Sequence, residues 1–277
     1  VIAALVYFCA SADVSREFAP AAAEAGAYVV DNSSAFRAAP SVPLVVPEVN
    51  PGAIGPSDRL IANPNCSTII LLVAVTPLHR AFGVDRMVVS TYQAVSGAGD
   101  PGLDALREET AALSRNEPPR PTFFPEPCAG NVFIHESPTD PATGRNAEEQ
   151  KMIDETRKIW GDATVRIAPT CVRVPVMRAH CESVCLTLRE PAAEAEVRRL
   201  LAHAPGVRVV DDRAARAFPT PLRAAGGDDV LVGRIRPDES QPRDGERFFG
   251  FELFISGDQL RKGAAQNAVQ VAELLPG

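Results

Sequence analysis

An apolar run at residues 69–75, Ile-Ile-Leu-Leu-Val-Ala-Val, most constrains how this chain can fold. Just before it stand Pro64, flanked by two asparagines, and a Ser-Thr pair, which together favour a turn followed by a helix start. Because the run is apolar around almost its whole circumference, this helix should be buried. We expect the helix to end near Pro77 and the rest of the chain to be arranged around it.

Cys66 falls at the N-terminal end of this predicted helix. Free backbone N–H groups and the helix dipole favour an anion there, so the thiol should be biased toward the nucleophilic thiolate. The same N–H groups are suited to holding an oxyanion formed beside the sulfur. A small cysteine buried at a helix cap is the alternative, and the local sequence does not decide between the two.

The overall composition excludes several classes of protein. The 277 residues carry a formal net charge of -7 with no long basic run, which argues against nucleic acid as the main partner. The chain is long enough for one large or two medium domains and has the composition of an ordinary soluble globular protein. Its longest apolar run is far short of the about 20 residues that cross a membrane, and no targeting segment is recognisable.

The cysteines form no CxxC pair and match no zinc spacing. His180 with Cys181 and Cys185 comes nearest to a metal cluster, but both cysteines fall in a strand-like run and should pack as small apolar side chains. We therefore expect no metal. A core-rich chain of this length does not need disulfides, which indicates a reducing compartment: the cytoplasm, or a plastid if the source is photosynthetic.

The first 31 residues are typical of a strand, a helix and a second strand, with Ser15 as the helix cap. Such a unit predicts parallel strands joined by a right-handed crossover. Ligands of open parallel sheets bind beyond the carboxyl ends of the strands, so Arg37, in the loop that follows, is a candidate anion-binding residue. A solvated loop arginine is the alternative.

Two later segments carry candidate polar groups. Residues 93–99 form a Gly-rich turn before a helix that Asp100 should cap, and such a turn can cradle a phosphate or admit a ring. Without a GxGxxG pattern the signal is weak. A helix predicted over residues 146–160 places Glu148 and Lys151 on one face, where an exposed ion pair is the alternative explanation.

Residues 164–188 indicate a strand, an interruption and a second strand, since Pro175 argues against one unbroken central strand. Arg173 and His180 lie in this region, and their spacing alone does not settle whether they share a face. His180 is a candidate partner for Cys66. Further strands separated by long loops predict a mixed sheet, and the chain closes with a helix predicted over residues 258–275.

Six segments, in order, form a pattern that spans nearly the whole chain. They are residues 31–37 (Asp-Asn-Ser-Ser-Ala-Phe-Arg), 45–51 (Val-Val-Pro-Glu-Val-Asn-Pro), 63–68 (Asn-Pro-Asn-Cys-Ser-Thr), 90–99 (Ser-Thr-Tyr-Gln-Ala-Val-Ser-Gly-Ala-Gly), 173–180 (Arg-Val-Pro-Val-Met-Arg-Ala-His) and 263–270 (Gly-Ala-Ala-Gln-Asn-Ala-Val-Gln). Together they resemble the aspartate-semialdehyde dehydrogenase family. The resemblance implies NADPH-dependent reductive dephosphorylation of L-aspartyl 4-phosphate to aspartate 4-semialdehyde, a step toward lysine, methionine and threonine.

The resemblance also implies roles for the candidate residues. Cys66 attacks the acyl phosphate to form a thioester, His180 is the acid/base, and Gln93 orients the substrate or water. Arg173 pairs with the substrate α-carboxylate and Glu148 with its ammonium. The residues that hold the phosphate are Arg37, Asn65 and Lys151. The residues assigned to the cofactor NADP are Ser96, Gly97 and Asn267.

The fold implied is α/β, with an incomplete Rossmann-type dinucleotide-binding domain and an α+β catalytic and dimerisation domain that contains a mixed sheet. We expect a partial NADP-binding domain at residues 1–65, the catalytic domain at residues 66–256, and a C-terminal helix at residues 257–277 that returns to the first domain. The family's assemblies predict a homodimer or homotetramer, with a small-molecule substrate and neither nucleic acid nor membrane as a partner.

The sequence departs from the family at its start. The family opens with a strand and a Gly-rich, pyrophosphate-binding turn that this chain does not contain, so we expect a fragment that binds NADP poorly or not at all. Asp13 adds a negative charge where the family usually has a Ser-Ala-Gly-type turn. Three alternatives remain: a related reductase such as N-acetyl-glutamyl-phosphate reductase, a non-catalytic dimerisation fragment, and, least favoured, a Cys-His hydrolase.

Overall fold

The computed structural model describes residues 4–276. A small parallel sheet is formed in chain order by β1 (Leu5–Phe8), β2 (Tyr28–Asp31) and β3 (Leu60–Ala62). Helix α1 (Ala12–Glu24) connects the first two strands, which confirms the predicted strand–helix–strand unit. Because all of β2 is buried, the sheet is covered on both faces.

A second sheet is larger and mixed, as predicted. Its strand order is β5-β6-β4-β7-β11-β9-β8, with β10 added to β11. The β4–β6 and β8–β9 pairs are parallel and the others antiparallel. The strands are β4 (Val84–Gln93), β5 (Phe133–Ile134), β6 (Arg166–Arg173), β7 (His180–Ala192), β8 (Val207–Val209), β9 (Val230–Pro237), β10 (Arg243–Asp244) and β11 (Arg247–Gly257).

Helix α2 (Cys66–Phe82) lies at the centre of the core. Its apolar run is fully or almost fully buried and belongs to one cluster with the inward-facing residues of the large sheet. Removing a fully buried leucine from such a core costs about 2–5 kcal/mol of folding free energy, so this packing fixes where the start of α2 lies. The buried helix is therefore confirmed as the element around which the chain is organised.

The other helices cover the edges and faces of the two sheets. They are α3 (Asp100–Ser114), α4 (Ala147–Trp160), α5 (Glu194–Ala202), α6 (Pro221–Ala224) and α7 (Gln266–Glu273). Helix α4 begins with a capping box, in which Asn146 and Glu149 bond each other's backbone N–H groups, as the prediction for residues 146–160 requires. None of the described helices is long and apolar enough to cross a membrane.

Three expected helix boundaries were wrong. Helix α2 continues through Pro77 and ends at Phe82, because burial on all sides outweighs the backbone bond that proline removes. Gly83 follows it with a φ of 66°, which suits glycine. The cap of α1 is Ser11, while Ser15 lies inside the helix and donates to Asp31 of β2. Helix α3 includes Asp100 in its first turn, after Gly99.

The end of the chain also differs from the predicted single helix. A π-helical turn, Arg261–Ala265, precedes α7. Within it the backbone N–H of Ala265 donates to the carbonyl of Leu260, five residues back. The fully buried Lys262 donates to Glu48, Asn267 and Gln270, which ties this turn to the loop after β2. Such single π turns are frequent at functional sites.

Candidate active site

A cavity of about 400 Å³ lies at the N-terminal end of α2. It is bounded by the loops after β2 and β3, the end of β4, helix α4, the end of β6 and the π turn. Eight of the eleven candidate residues line it: Arg37, Asn65, Cys66, Gln93, Gly97, Glu148, Lys151 and Arg173. Segments remote in sequence therefore converge where the carboxyl ends of β2, β3, β4 and β6 meet the start of α2.

Asn65 caps α2 and determines which backbone N–H groups of its first turn are available to a ligand. Its Oδ1 atom accepts from the backbone N–H groups of Ser67 (3.0 Å) and Thr68 (3.2 Å). The N–H groups at the start of α2 were predicted to be free for an oxyanion, and for these two the prediction was wrong because the cap occupies both.

The Cys66 side chain is partly exposed to this cavity, and its thiol is free. Burial raises the pKa of Cys66 to about 12, and the nearby Glu148 carboxylate adds to the rise. Arg37, the Ser67 N–H and Arg173 act in the opposite direction but do not outweigh burial. The expected thiolate bias was therefore wrong for the unliganded protein, which holds a neutral thiol.

Glu148 connects three of the other candidate residues. Its Oε1 atom accepts from Asn65 Nδ2 (2.8 Å) and Gln93 Nε2 (3.3 Å), and its Oε2 atom accepts from Lys151 Nζ (3.2 Å). Burial alone would raise the pKa of Glu148, but Lys151 and the other partners lower it to about 2. Glu148 is thus a buried, ionised carboxylate, which rules out the alternative of an exposed surface pair.

Arg37 is held in place on several sides. Its Nε donates to the carbonyl of Asn63 and its Nη2 to that of Asn32, both at 2.8 Å. Its Nη1 lies 3.3 Å from Glu155, which excludes the solvated loop arginine. The backbone N–H of Asn65 also donates to Glu155, at 2.6 Å.

The sequence analysis missed Glu155, a buried residue that joins Arg37 to the turn before Cys66. The sequence did contain an indication of its role, because positions 148, 151 and 155 share one face of α4. Burial raises the pKa of Glu155, an effect that Arg37 partly opposes.

His180 lies at the start of β7, behind Gly97. Its Nδ1 atom accepts from the backbone N–H of Ala94 at 3.0 Å, so the neutral ring carries its proton on Nε2. Burial, assisted by Arg173, lowers the pKa of His180 to about 3. The Nε2 atom has no hydrogen-bond partner among the described residues. A Cβ built on Gly97 would lie 3.2 Å from both His180 Nε2 and Arg173 Nη1, so these two side chains meet at Gly97.

Arg173 contacts two residues that the sequence analysis also missed. Its Nη2 atom donates to Glu136 Oε1 at 2.6 Å and contacts His135 Nε2 at 3.0 Å. His135 and Glu136 directly follow β5, which pairs with β6. No residue spacing links that loop to Arg173, so only the sheet pairing could have revealed the contact.

Three candidate residues do not line the cavity: His180, which lies behind Gly97, and Ser96 and Asn267. The Ser96 hydroxyl accepts from Gln259 in the interior. Asn267 is fully buried and donates to Val45 and Asn63. Asn63 in turn donates to Asn32 and to the carbonyl of Ala264 in the π turn. Asn267 thus supports the wall of the site from behind.

Two family models match the chain: the semialdehyde dehydrogenase NAD binding domain over residues 3–56 and the semialdehyde dehydrogenase dimerisation domain over residues 75–262. An aspartate-semialdehyde dehydrogenase of Synechocystis sp. is 47% identical over 271 residues, which covers 98% of this chain and 78% of the relative. The chain belongs to the aspartate-semialdehyde dehydrogenase family. The family member of Bacillus subtilis (strain 168) is 41% identical over 278 residues, or 98% of this chain and 79% of that protein.

Solved structures agree with this assignment. Two structures of aspartate-semialdehyde dehydrogenase II from Vibrio cholerae each match with a TM-score of 0.92 at 43% identity, covering 98% of this chain and 79% of theirs. One of the two is a complex with ASA. The resemblance found in the sequence is confirmed, and membership in this family disfavours the alternatives of a related acyl-phosphate reductase and a Cys-His hydrolase.

Proposed function

We propose that the chain catalyses the NADPH-dependent reductive dephosphorylation of L-aspartyl 4-phosphate to L-aspartate 4-semialdehyde through a thioester on Cys66. One observation carries the proposal. A single cysteine at the N-terminus of a buried helix faces a cavity that is lined by cationic side chains and also by a buried carboxylate, Glu148. A substrate with a carboxylate, an ammonium and a phosphate needs this mixture of charges.

The substrate contacts follow from where each charge lies. Arg173 takes the α-carboxylate, and Glu148 takes the ammonium in place of one of its present donors. The phosphate is held by three other residues that line the cavity, namely Arg37, Asn65 and Lys151. Because Glu155 and two backbone carbonyls already hold Arg37, little side-chain entropy is lost when it binds an anion.

The acyl transfer uses Cys66 as nucleophile. The thiol gives up its proton, its sulfur bonds to the acyl carbon, and the bond from that carbon to the phosphate oxygen breaks, so that phosphate leaves with the electron pair and, with a proton in balance, as hydrogen phosphate. The cationic groups Arg37 and Arg173 favour the thiolate, in opposition to burial. Gln93, which donates to Ser67 and Glu148, orients the acyl group or a water.

His180, the proposed acid/base, supplies a hydrogen-bond donor in the tautomer set by Ala94. With its Nδ1 atom accepting from Ala94, its Nε2–H can stabilise the oxyanion that forms at the acyl carbon bonded to Cys66. When that oxyanion re-forms the carbonyl, the carbon–sulfur bond breaks, the Cys66 thiolate leaves and the aldehyde is released. A histidine with so low a pKa stays neutral and keeps its Nε2 proton in these steps.

The cofactor is proposed to be NADP, and two glycines keep the cavity wall free of side chains beside the reacting groups. Gly97 and Gly263 both line the cavity, and a Cβ on either would come within 3.1–3.2 Å of His180, Arg173 or Cys66. When bound there, the nicotinamide would supply the hydride that reduces the acyl carbon. Gly97 would contact the ring, while Ser96 and Asn267, both buried, would support the site from behind.

The domain organisation and assembly are proposed on the same basis. Residues 1–65 and 257–277 form the nucleotide-binding part, since α7 packs on the small sheet, and residues 66–256 form the catalytic domain. The match to a dimerisation domain implies an oligomer, and we propose a homodimer or homotetramer.

The reverse reaction tests the proposal. The chain should reduce NADP⁺ in the presence of aspartate semialdehyde only when phosphate is added, and Cys66→Ala should abolish this reduction. Cys9→Ser is the matched control, because Cys9 is an exposed cysteine and should be dispensable. A separate titration with NADP⁺ measures cofactor binding. Reduction that needs no phosphate, or that survives Cys66→Ala, would refute the proposed function.

A further inference from the structure

Glu136 is bound to the Nε–Nη2 edge of the Arg173 guanidinium, the edge whose geometry matches a carboxylate. Arg173 Nη2 donates to Glu136 Oε1 at 2.6 Å, and Arg173 Nε donates to Glu136 Oε2 at 3.3 Å. Two parallel bonds of this kind are how a guanidinium recognises a carboxylate. Because Arg173 is almost completely buried, a ligand can approach it only from the cavity.

The remaining donors of Arg173 face the protein. Its Nη1 atom donates to the carbonyl of Ala94 at 2.9 Å, and Nη2 also contacts His135 Nε2 at 3.0 Å. The edge formed by Nε and Nη2 is thus the one bound by a carboxylate in the described structure. That carboxylate belongs to the protein itself.

Glu136 is also placed so that it can leave. Its side chain lines the same cavity and is 23% exposed, against 2% for Arg173. It lies in the irregular segment between β5 and α4, and Arg173 is the one side chain among residues 4–276 that donates a hydrogen bond to its carboxylate. Releasing it therefore breaks side-chain hydrogen bonds to a single residue, besides a looser contact of 4.0 Å with His135 Nε2.

We propose that Glu136 fills the carboxylate subsite at Arg173 until the substrate carboxylate displaces it, and so sets how tightly that subsite binds its ligands. The inference rests on the proposed function for the identity of the substrate. A ligand with only a carboxylate exchanges one carboxylate for another and gains little. A ligand that also brings an ammonium to Glu148 gains a second charge-assisted contact, so competition with Glu136 leaves simple carboxylates too weakly bound to occupy the site at concentrations at which α-amino acids bind.

The test uses L-2-aminobutyrate, which carries the carboxylate and ammonium but no reactive carbonyl, so binding is measured by calorimetry without cofactor or turnover. Glu136→Gln should bind it about tenfold more tightly than the wild type, a change of about 1.4 kcal/mol. Acetate binding should strengthen by a similar factor, because Glu136 competes equally with both carboxylates. The KM for aspartate semialdehyde should fall by a similar factor without an increase in kcat.

Two further variants keep the result interpretable. Glu126→Gln removes the same charge from an exposed position outside the cavity and should change nothing. Glu136→Asp keeps the charge on a shorter side chain and should give an intermediate affinity. Unchanged or weaker binding by Glu136→Gln would overturn the inference, since Glu136 would then hold Arg173 in place for the substrate.

The two proposals fail in different ways. If the wild type shows no phosphate-dependent reduction while Glu136→Gln still binds aminobutyrate more tightly, the proposed function fails and the carboxylate subsite stands. If turnover is present and the affinity does not rise, only the role of Glu136 fails.

Discussion

Gly263 lies directly against Cys66. A Cβ built on this glycine would stand 3.4 Å from Cys66 Cα and 3.1 Å from Cys66 Cβ, and the second distance is shorter than ordinary van der Waals contact. The glycine belongs to the π turn held by the buried Lys262, so the last segment of the chain sets the space above the thiol. Two parts of the sequence almost 200 residues apart thereby define one reaction centre.

Replacing this glycine should disturb the chemistry more than the fold. We expect Gly263→Ala to push Cys66 or the π turn by a few tenths of an ångström and to lower kcat by about tenfold or more, because small misplacements of reacting atoms have large effects on rate. Steady-state kinetics beside a thermal unfolding curve measure both effects. Gly52→Ala is the control, since a Cβ there meets nothing within 4 Å. Wild-type kcat in Gly263→Ala would contradict the role given to this contact.

Glu155 should matter for phosphate binding although it touches no phosphate itself. Glu155→Gln leaves either Arg37 or the Asn65 N–H without its acceptor, which we expect to raise the KM for phosphate about 10- to 100-fold. Initial rates of NADP⁺ reduction at varied phosphate measure the effect. Asp154→Asn changes the exposed neighbour and should leave this KM as it is. Equal values for the two variants would show that Arg37 does not need Glu155.

The thiol of Cys66 should react slowly with iodoacetamide in the unliganded protein. With a pKa of about 12, its alkylation rate should rise about tenfold per pH unit between pH 7 and 9. Glu148→Gln removes a charge that raises this pKa, so we expect alkylation at pH 8 to become about threefold faster or more. Peptide mapping by mass spectrometry separates Cys66 from the exposed Cys9. A plateau in the rate near pH 8 would instead show a thiolate at rest.

His180 should make the folded state sensitive to acid. Its pKa is lowered from 6.5 to about 3 in the folded protein. Below pH 6.5 this histidine therefore binds a proton in the unfolded chain but stays neutral in the folded one. Its contribution to the unfolding free energy is therefore complete above pH 6.5 and shrinks by about 2 kcal/mol by pH 5.

Urea unfolding of the wild type and of His180→Gln at pH 7 and pH 5 measures the contribution of His180 to the unfolding free energy. The wild type should lose about 2 kcal/mol more than the variant between the two pH values. The other histidines are present in both proteins and cancel in the comparison. The same loss in both proteins would mean that His180 titrates normally in the folded state.

Patterns with a simple period predicted most of the fold. The apolar run of α2, the first strand–helix–strand unit and the capped α4 were all predicted because their signals are local. The extension of α2 through Pro77 was not, since only tertiary packing overrides the missing backbone bond. The π turn was missed for a similar reason: the contacts of Lys262 with Glu48, Asn267 and Gln270 join segments that are far apart.

The site was predictable in its residues but not in its electrostatics. Motif resemblance placed Cys66, Glu148 and Arg173 together, and the structure brings all three to one cavity. The sequence predicted a thiolate from the helix end, but it gave no measure of burial, which raises the pKa instead. The contact of Glu136 with Arg173 could not be predicted from the sequence, because it depends on the pairing of β5 with β6.

The most direct test of the account is to trap the acyl group on the enzyme. The protein is mixed with L-aspartyl 4-phosphate without NADPH, quenched in acid, and its peptides are examined by mass spectrometry while released phosphate is counted. We predict an aspartyl adduct on Cys66 alone, about one phosphate released per active site, and neither in Cys66→Ala. An adduct on another residue, or turnover with NADPH without any adduct on Cys66, would contradict the central claim.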